Sequence, residues 1–310
     1  MESNWIFEKM KEQNQVLITG ASGFVGTNLQ DYLKNSYDLK CLSVRYLPNQ
    51  QFDLATDAII HLAGKAHDLK KVSYPTDYYE ANFELTKQLF DSFLASTASV
   101  FIFMSTVKAV ADAVDGILTE EAVPNPKTHY GIAKQQAEQY LLSRELPHGK
   151  RVYILRPCMI HGPGNKGNLN LLYQLVSKRL PWPLGDFKNE RSFLSIENLC
   201  FVVQELLENE TIPSGVYQVS DDTALSTNEL ITILGSSLGE QSRIITIPSA
   251  WIKGIAKLGD HLHLPLNTER LQKLTENYVV SNKKIIKAIG EPLPIDSKEG
   301  LLKTFTSFKK

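Results

Sequence analysis

Short apolar runs rich in β-branched residues alternate with amphipathic stretches through the first two thirds of the chain. This alternation is typical of parallel strands joined by crossover helices. The predicted strands are residues 15–19, 39–44, 57–62, 100–104, 152–156 and 216–220. The predicted helices are residues 23–34, 78–95 and 130–144. The pattern therefore predicts an α/β fold built on a doubly wound parallel sheet.

The connection between the second and third predicted strands is unusually short. Only 11 residues separate Arg45 from Asp57, which is less than a helix and a strand together usually need. We therefore expect that one strand of the sheet, together with its helix, is abbreviated at this point.

Composition and charge limit the class of protein. The chain has 310 residues, 43% of them hydrophobic, and its 33 basic and 34 acidic side chains give a net charge of -1. Disordered, collagen-like and disulfide-rich classes are excluded, and a nucleic-acid partner is not suggested. No apolar run approaches the ~20 residues that span a bilayer. A cytoplasmic protein without a membrane span is expected, and its three scattered cysteines predict reduced thiols and no metal site.

The segment V-L-I-T-G-A-S-G-F-V-G places three glycines between the first strand and the first helix, at Gly20, Gly23 and Gly26. In a dinucleotide site such glycines permit a tight turn, close approach of backbone N–H groups to a diphosphate, and close packing of helix on strand. An ordinary turn is the alternative reading of a G-x-x-G-x-x-G spacing. The position after a buried strand favours a Rossmann-type dinucleotide site, whose loop also contains Ser22, Phe24 and Val25.

Arg45, at the end of the second predicted strand, bears on which dinucleotide binds. A carboxylate at this place would bind the 2'-hydroxyl of an adenosine ribose, whereas a guanidinium can pair with a 2'-phosphate. Arg45 therefore favours NADP over NAD, although stacking on adenine or exposure to water would equally explain it. The expected cofactor is NAD or NADP.

The composition changes after residue 156, where Pro and Gly become frequent. We expect residues 1–14 to form an N-terminal extension and residues 15–162, joined by residues 193–221, to form the dinucleotide-binding domain. Residues 163–192 and 222–310 are expected to form a smaller α/β lobe that binds the substrate.

Tyr130 and Lys134 lie four residues apart and so on one face of a predicted helix. Ser105 and Thr106 follow the fourth predicted strand, at the sheet edge where ligands bind in open α/β folds. A phenol is a poor base at neutral pH, but a neighbouring ammonium and an oxidised nicotinamide both favour the phenolate. Lys134 is therefore expected to lower the pKa of Tyr130, which would exchange a proton with a substrate oxygen.

Several ordered motifs now support a family resemblance. They are G-A-S-G-F-V-G, H-L-A-G, Y-E-A-N-F-E-L-T, F-I-F-M-S-T-V, Y-G-I-A-K, L-R-P-C-M-I-H-G-P-G, N-E-R-S-F-L-S-I-E-N-L and S-K-E-G-L. Together they resemble the extended short-chain dehydrogenase/reductase family, in its group of NAD(P)-dependent nucleotide-sugar epimerases, dehydratases and reductases. UDP-glucose and UDP-N-acetylglucosamine 4-epimerases belong to this group.

The resemblance implies roles for individual residues. Thr106 would supply the catalytic hydroxyl and complete a triad with Tyr130 and Lys134, which would also contact the cofactor. Further cofactor contacts are implied at Leu62, Ala63, Gly64, Asn82 and Pro157. Val107 and Lys108 stand where sugar 4,6-dehydratases carry an Asp-Glu pair, so a dehydratase is disfavoured.

On the substrate side, Arg191 is the best candidate for binding a nucleotide diphosphate, because a guanidinium matches phosphate oxygens. The resemblance places Asn168 at a diphosphate or sugar contact, and Thr106 and Tyr130 at the reacting sugar oxygen. His61 is expected to be a hydrogen-bonded core residue. Trp182 and Trp251 are expected to pack in the interior.

The first functional hypothesis is a 4-epimerase that acts on a UDP-hexose or a UDP-N-acetylhexosamine through transient oxidation at C4. The first alternative is an NADPH-dependent reductase of nucleotide-4-keto sugars in polysaccharide precursor synthesis, which Arg45 favours. The second is a non-catalytic module that senses dinucleotides. The resemblance also implies a homodimer formed through residues 82–95 and 130–142.

Overall fold

The structure, a computed structural model, describes residues 14–66, 74–165, 169–262 and 267–309. Most of the predicted N-terminal extension and the candidate Asn168 lie outside these residues. In the described part of the chain, no helix is both long and apolar enough to cross a membrane.

The described residues form strands and helices in the alternating order that the sequence predicts. The strands are β1 (Gln15–Thr19), β2 (Asp38–Leu42), β3 (Ala58–His61), β4 (Val100–Met104), β5 (Ile117–Leu118), β6 (Arg151–Pro157), β7 (Met159–His161), β8 (Phe193–Ser195), β9 (Gly215–Val219) and β10 (Val279–Val280). The helices are α1 (Phe24–Leu33), α2 (Pro75–Tyr79), α3 (Leu85–Ala95), α4 (His129–Ser143), α5 (Leu169–Ser177), α6 (Ile196–Glu208), α7 (Thr227–Leu238), α8 (Ser249–Leu262), α9 (Thr268–Thr275), α10 (Lys283–Ile289) and α11 (Ser297–Ser307). A π-helical turn, Glu80–Glu84, joins α2 to α3.

Six strands form one parallel sheet in the order β2-β1-β3-β4-β6-β9. Helices α1 and α6 pack on one face, where Leu29 and Val203 share a core with strand residues such as Ile18. Helices α3 and α4 pack on the other face around Phe101. The predicted α/β fold with a doubly wound parallel sheet is therefore confirmed.

The abbreviated connection is also confirmed, because residues 43–57 contain neither a strand nor a helix. As a result β2 lies at the edge of the sheet. The loop leaves a groove of about 820 Å³ against α3, lined by Tyr46, Phe52 and Gln88 among others. None of the candidate catalytic residues lines this groove, so the groove is separate from the predicted triad.

A third core lies outside the main sheet and includes residues of α5, α7, α8, α9 and α11. Trp182 packs there as predicted, with 3% of its surface exposed. The expectation for Trp251 is wrong, since 73% of its surface is exposed. The buried face of α8 is formed by Ile252 and Ala256, and Trp251 lies on a different face of the same helix.

Candidate active site

The turn after β1 brings backbone segments into unusually close contact. Gly20 has a φ of +70°, a conformation that favours glycine, and a Cβ atom there would lie 2.7 Å from the Ala63 nitrogen. A Cβ atom on Gly26, in the first turn of α1, would lie 2.5 Å from the Gly20 oxygen. Gly23 precedes α1, and its nitrogen donates to the Gly20 oxygen at 3.0 Å. The turn therefore forms a backbone cradle at the amino terminus of α1, which fits a dinucleotide diphosphate.

The other residues of this loop are less constrained. Ser22 is exposed. Phe24 and Val25 are partly buried and pack against the core beneath the loop.

The close contacts in the cradle predict how Gly26→Ala changes the affinity for a dinucleotide. The added methyl group would meet backbone atoms of Gly20 and Ala21 at 2.5–2.7 Å, so the loop must move, and we expect NAD and NADPH affinity to fall at least about tenfold. Gly254→Ala is the matched control, because nothing lies within 4 Å of its Cβ position in α8, and it should stabilise the protein by about 1 kcal/mol. Calorimetric titration with each dinucleotide tests this, and unchanged affinity in Gly26→Ala would contradict the assignment.

The carboxyl end of β3 continues beside the glycine turn. Asn82 is fully buried in the π-helical turn. Its Oδ1 accepts from the Lys65 nitrogen at 3.1 Å, and its Nδ2 donates to the Lys65 oxygen at 3.0 Å. A Cβ atom on Gly64 would lie 2.5 Å from Asn82 Oδ1 and 3.2 Å from Lys134 Nζ. Asn82 thus fixes the segment of Leu62, Ala63 and Gly64 between the glycine turn and Lys134.

His61 is a core residue, as predicted. Its two ring nitrogens hydrogen-bond with Thr19 Oγ1 at 2.7 Å and Thr86 Oγ1 at 2.9 Å. Burial lowers the pKa of His61 to about 3, and the charge of Lys134 acts in the same direction. His61 is therefore neutral at pH 7.

Arg45 and Pro157 both lie at the carboxyl edge of the sheet. Arg45 is exposed, three residues beyond β2, and is without a hydrogen bond or ion pair to the described residues. Pro157 is the buried last residue of β6 and pairs with Val219. Their positions agree with the predicted cofactor edge.

The two hydroxyl groups after β4 have different surroundings. The Ser105 hydroxyl donates to the carboxylate of Glu138, in the interior. Thr106 has an extended backbone with a φ of -165°, and its Oγ1 accepts from the Lys108 nitrogen at 3.2 Å. Because the Ser105 hydroxyl already donates a hydrogen bond to Glu138, the geometry favours Thr106 as the reactive hydroxyl.

Helix α4 brings the phenol and the ammonium to this point. The Thr128 side chain caps the helix by accepting from the Gly131 nitrogen at 3.1 Å, which places Tyr130 in the first turn. The Tyr130 phenol hydrogen-bonds with the Thr106 side chain. Lys134 Nζ donates to the Met104 oxygen at 2.8 Å. The three predicted catalytic residues therefore lie together at the carboxyl end of β4.

Burial dominates the ionisation of this group of residues. It raises the pKa of Tyr130 to about 12, against a smaller opposing effect of the hydrogen bond with Thr106. It lowers the pKa of Lys134 to about 7, against the opposing charge of Glu138. The sequence predicted that Lys134 lowers the pKa of the phenol. The pKa of Tyr130 nevertheless lies above its ordinary value, because burial is the largest influence on the phenol, and the effect of Lys134 on it stays a prediction.

The guanidinium of Arg191, the predicted diphosphate contact, forms two interactions with nearby residues of the chain. Its Nη1 donates to the Lys273 oxygen at 3.0 Å, and its Nη2 lies 3.4 Å from Glu276 Oε1. Lys108 lies close to it, with Nζ 4.3 Å from the Tyr278 ring centroid. Burial lowers the pKa of Lys108. The negative charges of Glu276 and Asp112 oppose this effect, and the Arg191 charge adds to it. Two positive charges therefore lie near one another here; Asn168 is outside the described residues.

One residue beside the triad was not predicted from the sequence, the buried carboxylate of Glu138. Glu138 follows Lys134 by four residues on the same face of α4, and Arg156 of β6 pairs with it. The four-residue repeat of Tyr130, Lys134 and Glu138 was the available signal.

Comparison with known proteins now gives the family. The sequence model of the NAD dependent epimerase/dehydratase family matches residues 16–220. The chain belongs to this family. The match spans the glycine turn, the triad and Arg191, which confirms the resemblance found in the sequence and makes the protein a member of a family of enzymes.

Individual members of the family show a range of activities. The UDP-glucose 4-epimerase of Vibrio cholerae is 29% identical over 323 residues, covering 96% of each chain. The GDP-6-deoxy-D-mannose reductase of Pseudomonas aeruginosa is 27% identical over 257 residues, covering 76% of this chain and 84% of the relative. Epimerases and reductases of nucleotide sugars are thus both among the relatives.

The fold is also that of solved family structures. The structure of RMD from Pseudomonas aeruginosa complexed with NADPH has a TM-score of 0.69 and 22% identity, over 95% of this chain and 98% of that chain. This similarity shows a common fold.

Proposed function

We propose that the protein is a nucleotide-sugar 4-epimerase that uses NAD or NADP and acts on a UDP-hexose or a UDP-N-acetylhexosamine. The observation that carries the proposal is the meeting of Thr106, Tyr130 and Lys134 at the carboxyl end of β4, beside the glycine cradle. The 4-epimerase relative, which aligns over 96% of each chain, supports the reaction and the UDP-linked substrate.

The described residues fit a dinucleotide. The backbone of the glycine cradle would hold the diphosphate, and the segment from Leu62 to Gly64 would lie along the cofactor, with Pro157 at the nicotinamide end. Lys134, whose Nζ lies 3.2 Å from the place that a Cβ atom on Gly64 would take, would hold the adjacent ribose. When bound, the nicotinamide ring supplies reversible hydride acceptance at C4 of the sugar.

In the proposed reaction, Tyr130 moves one proton in each half. As phenolate it accepts the proton of the sugar 4-hydroxyl while C4 is oxidised, and it returns that proton to the 4-keto oxygen while C4 is reduced from the opposite face. Thr106 hydrogen-bonds that oxygen. Lys134 stabilises the phenolate through its positive charge, which must offset the effect of burial on Tyr130.

Arg191 is the proposed diphosphate contact of the substrate. Its interaction with Glu276 leaves donors of the guanidinium for phosphate oxygens, since a guanidinium carries five N–H groups. The nearby ammonium of Lys108 adds to the positive potential. Local charges of this kind are needed because the net charge of the chain is only -1.

An assay of interconversion tests the proposal. The purified protein is incubated with UDP-glucose or UDP-N-acetylglucosamine, and the sugar is followed by proton NMR while the absorbance of reduced nicotinamide is recorded. An epimerase forms the 4-epimer with no net change in absorbance. Absence of the 4-epimer with every UDP-sugar of a panel would reject the proposal.

The reductase is the second candidate, and the observation that favours it is Arg45. This guanidinium is exposed at the predicted cofactor edge and has no partner among the described residues. Its N–H donors are therefore accessible to the 2'-phosphate of NADPH. The reductase relative gives further support. Net oxidation of NADPH in the presence of a nucleotide-4-keto sugar, with NADPH bound more tightly than NADH, would establish the reductase in place of the epimerase.

Homodimer formation through α3 and α4, and a cytoplasmic location, stay predictions. The non-catalytic module receives no support, because the chain belongs to a family of enzymes and its triad is assembled.

A further inference from the structure

Three consecutive residues at the carboxyl end of β4 are each bound by a different turn of α4. The pairs are Met104 with Lys134, Ser105 with Glu138 and Thr106 with Tyr130. The three helix residues lie four apart and share one face of α4. The Thr106 hydroxyl and the Tyr130 phenol therefore belong to two segments that are held together at three points. Of the three helix residues, only Glu138 has no role in the proposed reaction.

Glu138 is itself held by Arg156 of β6. Arg156 Nε donates to Glu138 Oε1 at 3.0 Å and to Oε2 at 3.1 Å, and Nη2 donates to Oε2 at 2.5 Å. Both side chains are buried, with 2% and 6% of their side-chain surface exposed. A carboxylate that is paired by a guanidinium fork has little freedom to rotate, so its bond to the Ser105 hydroxyl fixes Ser105 in one direction.

The direction of the Ser105 side chain also determines the direction of the Thr106 side chain. The Ser105 nitrogen donates to the Leu155 oxygen at 2.7 Å, which extends the β4–β6 pairing by one residue. With its backbone and its hydroxyl both bound, Ser105 turns its side chain inward, and Thr106 must then turn to the other side, because adjacent side chains of an extended segment alternate. That other side is where Tyr130 lies.

Glu138 also acts on Lys134 through its charge. It opposes the effect of burial on the pKa of Lys134. Other titratable groups in this region include His61 of β3, which is neutral at pH 7, Tyr130 of α4, and Arg156 of β6, whose positive charge is paired with Glu138. Glu138 is thus the negative charge that favours the ammonium form of Lys134.

We propose that Glu138 is a positioning residue, which acts through Ser105 to aim Thr106 at Tyr130 and through its charge to keep Lys134 protonated. This inference rests on the proposed function only for its kinetic readout. Removal of Glu138 alone would leave Arg156 buried and unpaired, which destabilises proteins strongly. The test therefore uses Ser105→Ala and the double variant Glu138→Gln/Arg156→Met, which removes both charges.

The kinetic test compares Ser105→Ala with Ser237→Ala. Ser237 is a buried serine of α7 that donates to the Leu234 oxygen at 2.7 Å, so its removal costs a similar bond far from the triad. We expect Ser105→Ala to lower kcat about tenfold or more with KM within twofold, Ser105→Thr to restore part of it, and Ser237→Ala to match the wild type. An unchanged kcat in Ser105→Ala would overturn the positioning role.

The charge test needs no substrate. Lysines are labelled with 13C at Cε, the Lys134 resonance is assigned with Lys134→Met, and its titration is followed by NMR. In the double variant we expect the pKa of Lys134 to fall, because the Glu138 carboxylate that favours the ammonium is gone; loss of the Arg156 guanidinium makes this fall smaller. The alkaline limb of kcat/KM should move to lower pH with it. A Lys134 titration equal to that of the wild type would reject the charge role.

The two tests distinguish failure of the proposed function from failure of the proposed role of Glu138. If no UDP-sugar is converted, the proposed function fails while the NMR titration still decides the role of Glu138 toward Lys134. If Tyr130→Phe is inactive but Ser105→Ala is fully active, the proposed function stands and the positioning role fails.

Discussion

The Tyr130→Phe variant is expected to lose about a thousandfold or more in kcat, because it removes the group that moves the proton in both halves of the proposed reaction. General acid–base groups contribute about 10²–10⁴-fold to rates, and no other described side chain reaches Thr106 with a proton donor of this kind. The fold should persist, since the ring remains and only the hydrogen bond with Thr106 is lost. The free energy of unfolding should change by less than about 1.5 kcal/mol.

Tyr140→Phe is the matched control for this variant. Tyr140 lies on the same helix, and its hydroxyl donates to Asp91 Oδ1 at 2.6 Å, so the substitution also removes one phenol hydrogen bond but leaves the triad intact. Its kcat should equal that of the wild type in the NMR assay. Normal turnover by Tyr130→Phe would show that another group moves the proton.

The second large effect is on stability. Arg156→Met removes the guanidinium from a buried pair and leaves the Glu138 carboxylate in the interior, where Ser105 is its remaining side-chain partner among the described residues. Breaking a buried ion pair on one side costs about 3–5 kcal/mol. We expect the free energy of unfolding, measured by urea denaturation, to fall by about that amount.

Arg179→Met is the comparison for Arg156→Met. Arg179 pairs with Glu240 at 2.6 Å, but 78% of its side chain is exposed, and exposed pairs contribute little. The urea midpoint of this variant should stay at the wild-type value. Equal losses of stability in the two arginine variants would mean that the buried pair of Arg156 and Glu138 stabilises the fold no more than a surface pair does.

The parts of the fold that the sequence predicts are those fixed by local patterns. The glycines after β1 follow from the turn they must form, and the missing strand follows from the short distance between Arg45 and Asp57. The π-helical turn around Asn82 was not predicted, because it has no periodic signature and was included in one continuous helix. Trp251 was misplaced because an apolar side chain on a helix does not by itself reveal which face is buried.

The residues of the site that lie in local motifs could be predicted from the sequence. The interactions that join residues from distant segments could not. Thr106, Tyr130 and Lys134 were placed together from the end of a strand and the face of a helix. The pairing of Arg156 with Glu138 depends on β6 lying beside α4, and the contact of Arg191 with Glu276 depends on the packing of the lobe. The raised pKa of Tyr130 was not predicted, because it follows from burial, which cannot be read from the residues.

The order of strands in the sheet also has a consequence for the time course of folding. The connection from β6 to β9 is the longest between neighbours in the sheet, and the entropy lost on closing a loop grows with its length. We expect β9 to join an already paired β1, β3, β4 and β6, so that the edge strand gains amide protection last in pulse-labelled hydrogen exchange during refolding. Protection of β9 at the same rate as β1 would show that the whole sheet forms in one step.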